Sequence, residues 1–169
     1  MISTPAEAAE FAGLARAAGL GTVGVMVEIP SAALQAEEIL SEVDFVSIGT
    51  NDLAQYAMAT DRQASGLGGL QDPWQPAVLR LLGMVGRAGR LAGKPVGVCG
   101  EAAADPALAA VLVGLGVTSL SMALRALEPV RRALARVTVE DCRRAAEAAL
   151  ASSGPAAARE EVFRVLEMR

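Results

Sequence analysis

VDFVSIGTNDL, residues 43–53, is the stretch on which the fold turns. Phe45 to Ile48 is a short, mostly apolar run, too brief for a helix and of the length of a buried strand. Gly49 interrupts it, and Thr50, Asn51 and Asp52 follow as three polar side chains before a helical period begins. The same punctuation recurs on both sides. Val23 to Val27 ends at Glu28, Val96 to Cys99 ends at Gly100-Glu101, and Ser119 to Met122 ends at Ala123-Leu124. Each of the four runs is followed by a segment of helical period. Apolar runs without alternation suit strands covered on both faces, and strands separated by helices make βα units with a parallel sheet.

The helices carry their own start and stop signals. Ser31 after Pro30 opens SAALQAEEILSEV. Pro76 opens a long helix that ends near Gly93. Asp105 before Pro106 is an N-cap with Pro at the first helical position, and that helix stops at Gly116. Between strands two and three the chain is about twice as long as one βα unit, because a Gly-rich loop from Thr60 to Gln75 intervenes; it is expected to be flexible and to lie beside the site. Beyond Met122 the chain reads as helical: Ala126 to Arg136, with Pro129 tolerable in its first turn; Val139 to Ala151 capped by Thr138; a linker SSGP at 152–155; and a last helix from Ala156 to about Glu167. Residues 138–169 read as a helical tail of the same domain.

Composition narrows the class. Of the 169 residues 53% are apolar, 20% charged and 3% aromatic, so the core is aliphatic and the chain globular. Net charge is −4 with no basic run, which argues against a nucleic-acid footprint. No apolar stretch is long enough to span a bilayer, and the N-terminus lacks signal-peptide features; a cytosolic protein with both cysteines reduced is expected. The chain has no His. Within these residues, then, there is no His acid–base catalysis, His metal ligation or phosphohistidine.

In parallel α/β sheets the ligand site lies at the carboxyl ends of the strands. Glu28, Asn51-Asp52, Cys99 and Glu101 all fall there. Each carboxylate alone could cap a helix or line a loop; Glu28 and Asp52 together form a pair suited to Mg²⁺, which takes one or two carboxylates and fills its remaining positions with water and substrate oxygens. Cys99 on spacing alone reads as a small core residue or as an acid, since an ordinary thiol holds its proton at neutral pH. Arg62, in the loop, offers a planar fork for phosphate or carboxylate if it faces the site. Cys142 has no functional reading.

Taken in order, VGVMVEIPSAAL, VDFVSIGTNDLAQYAMATDR, KPVGVCGEAAADP and LGVTSLSMA resemble the C-terminal barrel of the phosphoenolpyruvate-utilising enzymes. PAVLRLLGMV favours the branch that phosphorylates a protein histidine (Enzyme I of the sugar phosphotransferase system) over the dikinases and synthases. The resemblance runs from Met1 to about Ala135. It implies a partial TIM (β/α)8 barrel, roughly strands five to eight in residues 1–137, followed by the helical tail. It implies Glu28 and Asp52 as Mg²⁺ ligands, Asn51 and Asp52 in substrate binding, Arg62 as a phosphoenolpyruvate ligand, and Cys99 as proton donor to the substrate methylene. The implied reaction passes the phosphoryl group from phosphoenolpyruvate to a protein histidine and leaves pyruvate. The implied partners are an N-terminal phosphohistidine domain, a histidine-containing phosphocarrier protein and a second copy in a homodimer.

Departures from the family pattern accompany the likeness. A whole barrel needs about 250 residues, and the family's upstream phosphate-gripping arginines and its phosphohistidine domain fall outside this sequence. Activity of these residues alone is therefore not expected. The linker from Gly19 to Val23 is short, and LQDPWQP replaces the family's usual LYQP-like tract near Leu70. Two other readings compete: a Mg²⁺-dependent lyase or aldolase working through pyruvate enolate, against which VCGE and DR count, and a non-catalytic half-barrel that self-associates through its open edges.

Overall fold

The computed structural model describes residues 1–61 and 68–167. Its centre is one parallel sheet. In chain order the elements around it begin with α1 (Pro5–Ala17), β1 (Gly24–Val27), α2 (Pro30–Leu34), α3 (Ala36–Glu42), β2 (Phe45–Gly49) and α4 (Thr50–Ala57). Then come α5 (Pro76–Ala92), β3 (Val96–Cys99), α6 (Pro106–Leu115) and β4 (Ser119–Ser121). Three further helices, α7 (Leu124–Leu134), α8 (Val139–Ala151) and α9 (Pro155–Val165), close the chain. Short 3₁₀ helices cover Gly68–Gln71 and Glu101–Ala104. The four strands lie in the order β1-β2-β3-β4, all pairs parallel. Sequential order with a helical crossover between neighbours is the connectivity of a partial α/β barrel.

The sheet differs from the sequence expectation in one respect. Its strands are buried on one face, not two. Val25, Val27, Val46, Ile48, Val96 and Val98 are buried, and they alternate with Gly24, Met26, Ser47, Gly97 and Cys99, which are half-buried, and with Phe45, Ser119 and Ser121, which are exposed. The period of two is therefore present in burial although the apolar runs conceal it: the second face is filled by Gly, Ser, Cys and Met rather than by charge. Against the covered face pack Leu79, Leu82 and Val85 of α5, Leu108, Val111 and Leu112 of α6, and Ile39 and Leu40 of α3, all within one core cluster.

Caps form where the sequence places them. Asp105 Oδ1 accepts from the N–H groups of Ala107 and Leu108 at 2.9 and 3.1 Å. Thr138 and Asp141 form a reciprocal capping box on α8. Several boundaries move: β1 starts at Gly24, β4 ends at Ser121, and the last helix runs Pro155–Val165. The helix opened at Pro30 breaks at Gln35 into α2 and α3. Helix α7 starts two residues before Ala126, so Pro129 stands inside it rather than in its first turn, where its missing N–H leaves the Arg125 carbonyl without the usual partner. Helix α1, which the strand-centred reading omits, begins at Pro5 with Thr4 Oγ1 accepting from Glu7 N–H at 3.3 Å. Its Arg16 pairs with Asp44 at 3.3 Å, and Asp44 also accepts from Val23 N–H at 2.8 Å. That backbone bond, with the Arg16 guanidinium, holds the Asp44 carboxyl below its ordinary value.

The DPW tract becomes a clamp. Trp74 is fully buried and its Nε1 donates to Asp105 Oδ2 at 2.8 Å. Asp72 accepts from Trp74 N–H at 2.9 Å and pairs with Arg159 of α9 at 3.4 Å. The Arg159 guanidinium sits 5.3 Å from the Trp74 ring centre. The chain leaving the Gly-rich loop is thereby fastened to the start of α6 and to the last helix.

Candidate functional site at the strand ends

Register brings the predicted residues to one edge. Val27 pairs with Ile48, Gly49 with Cys99, and Cys99 with Ser121. Glu28, Asn51, Asp52 and Cys99 consequently leave three adjacent strands at the same end. Two glycines show how closely Glu28 and Asn51 lie against the neighbouring strand ends. A methyl group at Gly49 would stand 2.9 Å from Glu28 Cγ and 3.0 Å from Glu28 Oε1, so the Glu28 side chain lies directly across the end of β2. A methyl group at Gly100, where φ is +96°, would stand 2.8 Å from Thr50 Oγ1 and 3.2 Å from Asn51 Oδ1. The Asn51 amide is thus laid against the end of β3, and Gly100 supplies both the room and the positive φ.

Helix α4 opens at this edge. Its first three residues are Thr50, Asn51 and Asp52, and its cap position, Gly49, provides no side-chain hydrogen bond. The first-turn N–H groups, which take no side-chain bond from the cap position, and the positive end of the helix dipole face the strand ends, a setting that suits an anion. Asn51 and Asp52 are half-buried, as are Glu28 and Cys99. Arg62 lies outside the described residues.

Cys99 is held from β2. Ser47 Oγ donates to Cys99 Sγ at 3.7 Å, Sγ donates to the Ile48 carbonyl at 3.5 Å, and Thr50 Oγ1 donates to the Cys99 carbonyl at 3.0 Å. Ser47 and Thr50 were legible as polar interruptions of the VSIGT run, but nothing in their spacing identifies a cysteine 49 to 52 positions away as their partner. Glu101 begins the 3₁₀ helix after β3 and is exposed. Cys142, by contrast, is buried in α8 at 2% exposure, and burial, reinforced by the charge of Asp141, pushes its thiol up. That environment makes it inert.

A cleft of about 440 Å³ adjoins the site, lined by Gly100, Glu101, Ser121, Met122 and Arg125 among others. A larger one of about 660 Å³, between α7 and the end of α9, touches none of the strand ends. Among the described residues no three His, Cys, Asp or Glu side chains converge as a metal cage. Two half-buried carboxylates, Glu28 and Asp52, stand at this edge; as donors they would suit Mg²⁺ with its retained waters and would not suit a fully protein-ligated transition metal.

Comparison with known proteins gives the family. Residues 6–139 match the family model described as PEP-utilising enzyme, PEP-binding domain. The phosphoenolpyruvate-protein phosphotransferase of Streptomyces coelicolor is 54% identical over 98% of this chain. That of Geobacillus stearothermophilus is 45% identical over 82%, and a multiphosphoryl transfer protein of Rhodobacter capsulatus 45% over 81%. The chain spans 30%, 24% and 17% of the length of these three relatives. With the parallel sheet, the strand-end residues and a family match over most of its length, the chain belongs to the phosphoenolpyruvate-utilising enzymes and carries their phosphoenolpyruvate-binding domain.

Proposed function

We propose that this chain supplies the Mg²⁺-binding and proton-donating side of a phosphoenolpyruvate site, and that the complete reaction is phosphoryl transfer from phosphoenolpyruvate to a protein histidine. The observation that carries the reading is the register of β1, β2 and β3, which gathers Glu28, Asn51, Asp52 and Cys99 at one edge. Residues 1–137 form half of a barrel, with 138–169 as its helical tail. The open face of the sheet is the inner wall, completed by further strands of a longer polypeptide such as the relatives possess. That polypeptide also supplies the acceptor histidine, in keeping with a chain that has none.

Each residue has a part. Glu28 and Asp52 hold Mg²⁺, whose charge stabilises the developing enolate oxygen when it is bound. Asn51 and the first turn of α4 orient the phosphate by hydrogen bonds to its oxygens. Arg62 grips the carboxylate or phosphate as a fork. Cys99 delivers a proton to the substrate methylene carbon, which turns the enolate into pyruvate. The pathway served is cytoplasmic sugar uptake, with a phosphocarrier protein as the next acceptor; pairing of two copies is measurable by sedimentation velocity.

Calorimetric titration of the chain with phosphoenolpyruvate tests the reading. Binding is expected with Mg²⁺ and is expected to weaken at least tenfold in Asp52→Ala. Equal affinity for the parent and Asp52→Ala would refute the metal assignment. No effect of Mg²⁺ on the parent would refute the whole reading.

A further inference from the structure

Ser47 is out of place as a core residue. It sits mid-strand in β2, on the face the helices do not cover, opposite Gly97 of β3. Gly97 leaves room beside it: a methyl group there would stand 3.7 Å from Ser47 Oγ and 3.0 Å from Ser119 Oγ. Across this gap the Ser47 hydroxyl reaches along the sheet to Cys99, two residues on from Gly97. Sγ is the one acceptor that it uses among the described residues, at 3.7 Å. The sulfur's own proton goes to the Ile48 carbonyl at 3.5 Å. One strand therefore supplies both a donor and an acceptor to a single sulfur.

We propose that Ser47 is a positioning residue for Cys99: it fixes the thiol beside the substrate and receives the thiolate left after proton delivery. The proposal rests on the donor role assigned to Cys99 above. In that step the S–H bond breaks as a C–H bond forms at the enolate methylene carbon. The enolate C=C pair enters the new C–H bond, a lone pair on oxygen re-forms the carbonyl of pyruvate, and the S–H pair stays on sulfur. Solvent water returns the proton to the thiolate. A hydrogen bond to a charged acceptor is stronger than one to a neutral acceptor. The Ser47 bond thus gains strength as the thiolate develops, and it favours the transition state over the resting thiol.

Iodoacetamide alkylation of the native 169-residue chain, resolved by site with peptide mass spectrometry, isolates this contact, because the thiolate is the reacting species. Ser47→Ala is expected to slow alkylation of Cys99 about tenfold at pH 8. Ser47→Thr, which keeps the hydroxyl, is expected to return to within about threefold of the parent. Cys142, 2% exposed, reports on folding, since its labelling marks a disrupted core. If Ser47→Ala exposes Cys142, Ser47→Cys, similar in shape and a weaker donor, carries the same comparison and is expected to be slower than the parent. An unchanged or faster rate in the folded variant, or a Ser47→Thr as slow as Ser47→Ala, overturns the proposal. The donor role is read separately, in a polypeptide that also carries the strands completing the barrel, by exchange of pyruvate methyl protons into deuterated water with Mg²⁺ present. Retained exchange in Cys99→Ala overturns that role, and with it the proposal, whatever the alkylation rates.

Discussion

Replacing Gly49 by Ala separates the site from the stability of the fold. Gly49 has φ −86° and ψ 87°, a conformation open to an L residue, so the backbone is not strained by the change. The new methyl group meets Glu28 Cγ at 2.9 Å, Oε1 at 3.0 Å and Met26 Cε at 3.1 Å. Ordinary contacts between such atoms are about 3.5–4 Å, so the Glu28 side chain must retreat by roughly 0.5–1 Å. The three atoms belong to two flexible side chains, Glu28 and Met26, on the uncovered face. Yielding costs the fold little, and the entropy lost from the unfolded chain offsets it by about 0.4–1 kcal/mol. Mg²⁺ tolerates no such displacement, because its oxygens must lie close to 2.0–2.1 Å in near-ideal octahedral geometry. Loss of that geometry is expected to weaken Mg²⁺ at least tenfold, or about 1.4 kcal/mol. Urea denaturation and Mn²⁺ titration by electron paramagnetic resonance, with Mg²⁺ as competitor, measure the two sides. Gly49→Ala with unchanged stability and tenfold weaker metal binding is the expected result. Equal metal affinity would refute the placement of Glu28 as a ligand; a loss of several kcal/mol of stability would refute the argument that its neighbours can yield.

Two further outcomes follow from the helical side. Trp74→Phe keeps most of the buried ring but removes the donor to Asp105 and weakens the stack under Arg159; a loss of about 2–4 kcal/mol in urea denaturation is expected, and a loss under 0.5 kcal/mol would show that the clamp adds nothing. In the α8 cap, the Thr138 backbone N–H, the Thr138 hydroxyl and Arg144 hold the Asp141 carboxyl down to about 2 from an ordinary 3.8. A depressed folded value means that its contribution is complete above about 3.8 and fades as pH falls towards 2. The stability difference between the parent and Asp141→Asn is therefore expected to be constant above about pH 5 and to lose most of its size by about pH 2, as followed by circular dichroism; a difference as large at about pH 2 as at about pH 5 would be contrary to the cap's titration.

Much of the fold was legible because strand ends and caps are local signals. Asp105-Pro106, Thr138 with Asp141, and Gly49 and Gly100 after apolar runs each act within a few residues, and each does what its chemistry dictates. The one-sided sheet was not legible. Gly24, Ser47, Gly97 and Cys99 are small enough to pass for core residues, and only the placement of the helices decides which face they occupy. The site was legible as a row of strand ends, and the motif contexts gave it a chemistry. The grip of Ser47 and Thr50 on Cys99 was hidden because it depends on the β2–β3 register across some 50 residues. The clamp at Trp74 was hidden for the same reason: Arg159 is far along the chain, and only packing brings it back to Asp72.

The sequential strand order also bears on how quickly the sheet can assemble. Every strand pairs with its nearest neighbour in the chain, so no strand waits for a distant partner. About 21 residues separate Gly24 from Phe45, about 22 separate Gly97 from Ser119, and about 50 separate Val46 from Val96. Closing the longest of these loops costs only about 0.8 kcal/mol more than closing the shortest. Consecutive βα units can thus add one after another at nearly equal entropic cost, although every pairing spans about 21 to 50 residues and must close its loop before it is rewarded. The slowest closure, β2 onto β3, is also the pairing that brings Ser47 to Cys99, so the two sides of the donor contact meet only when the last long loop has closed.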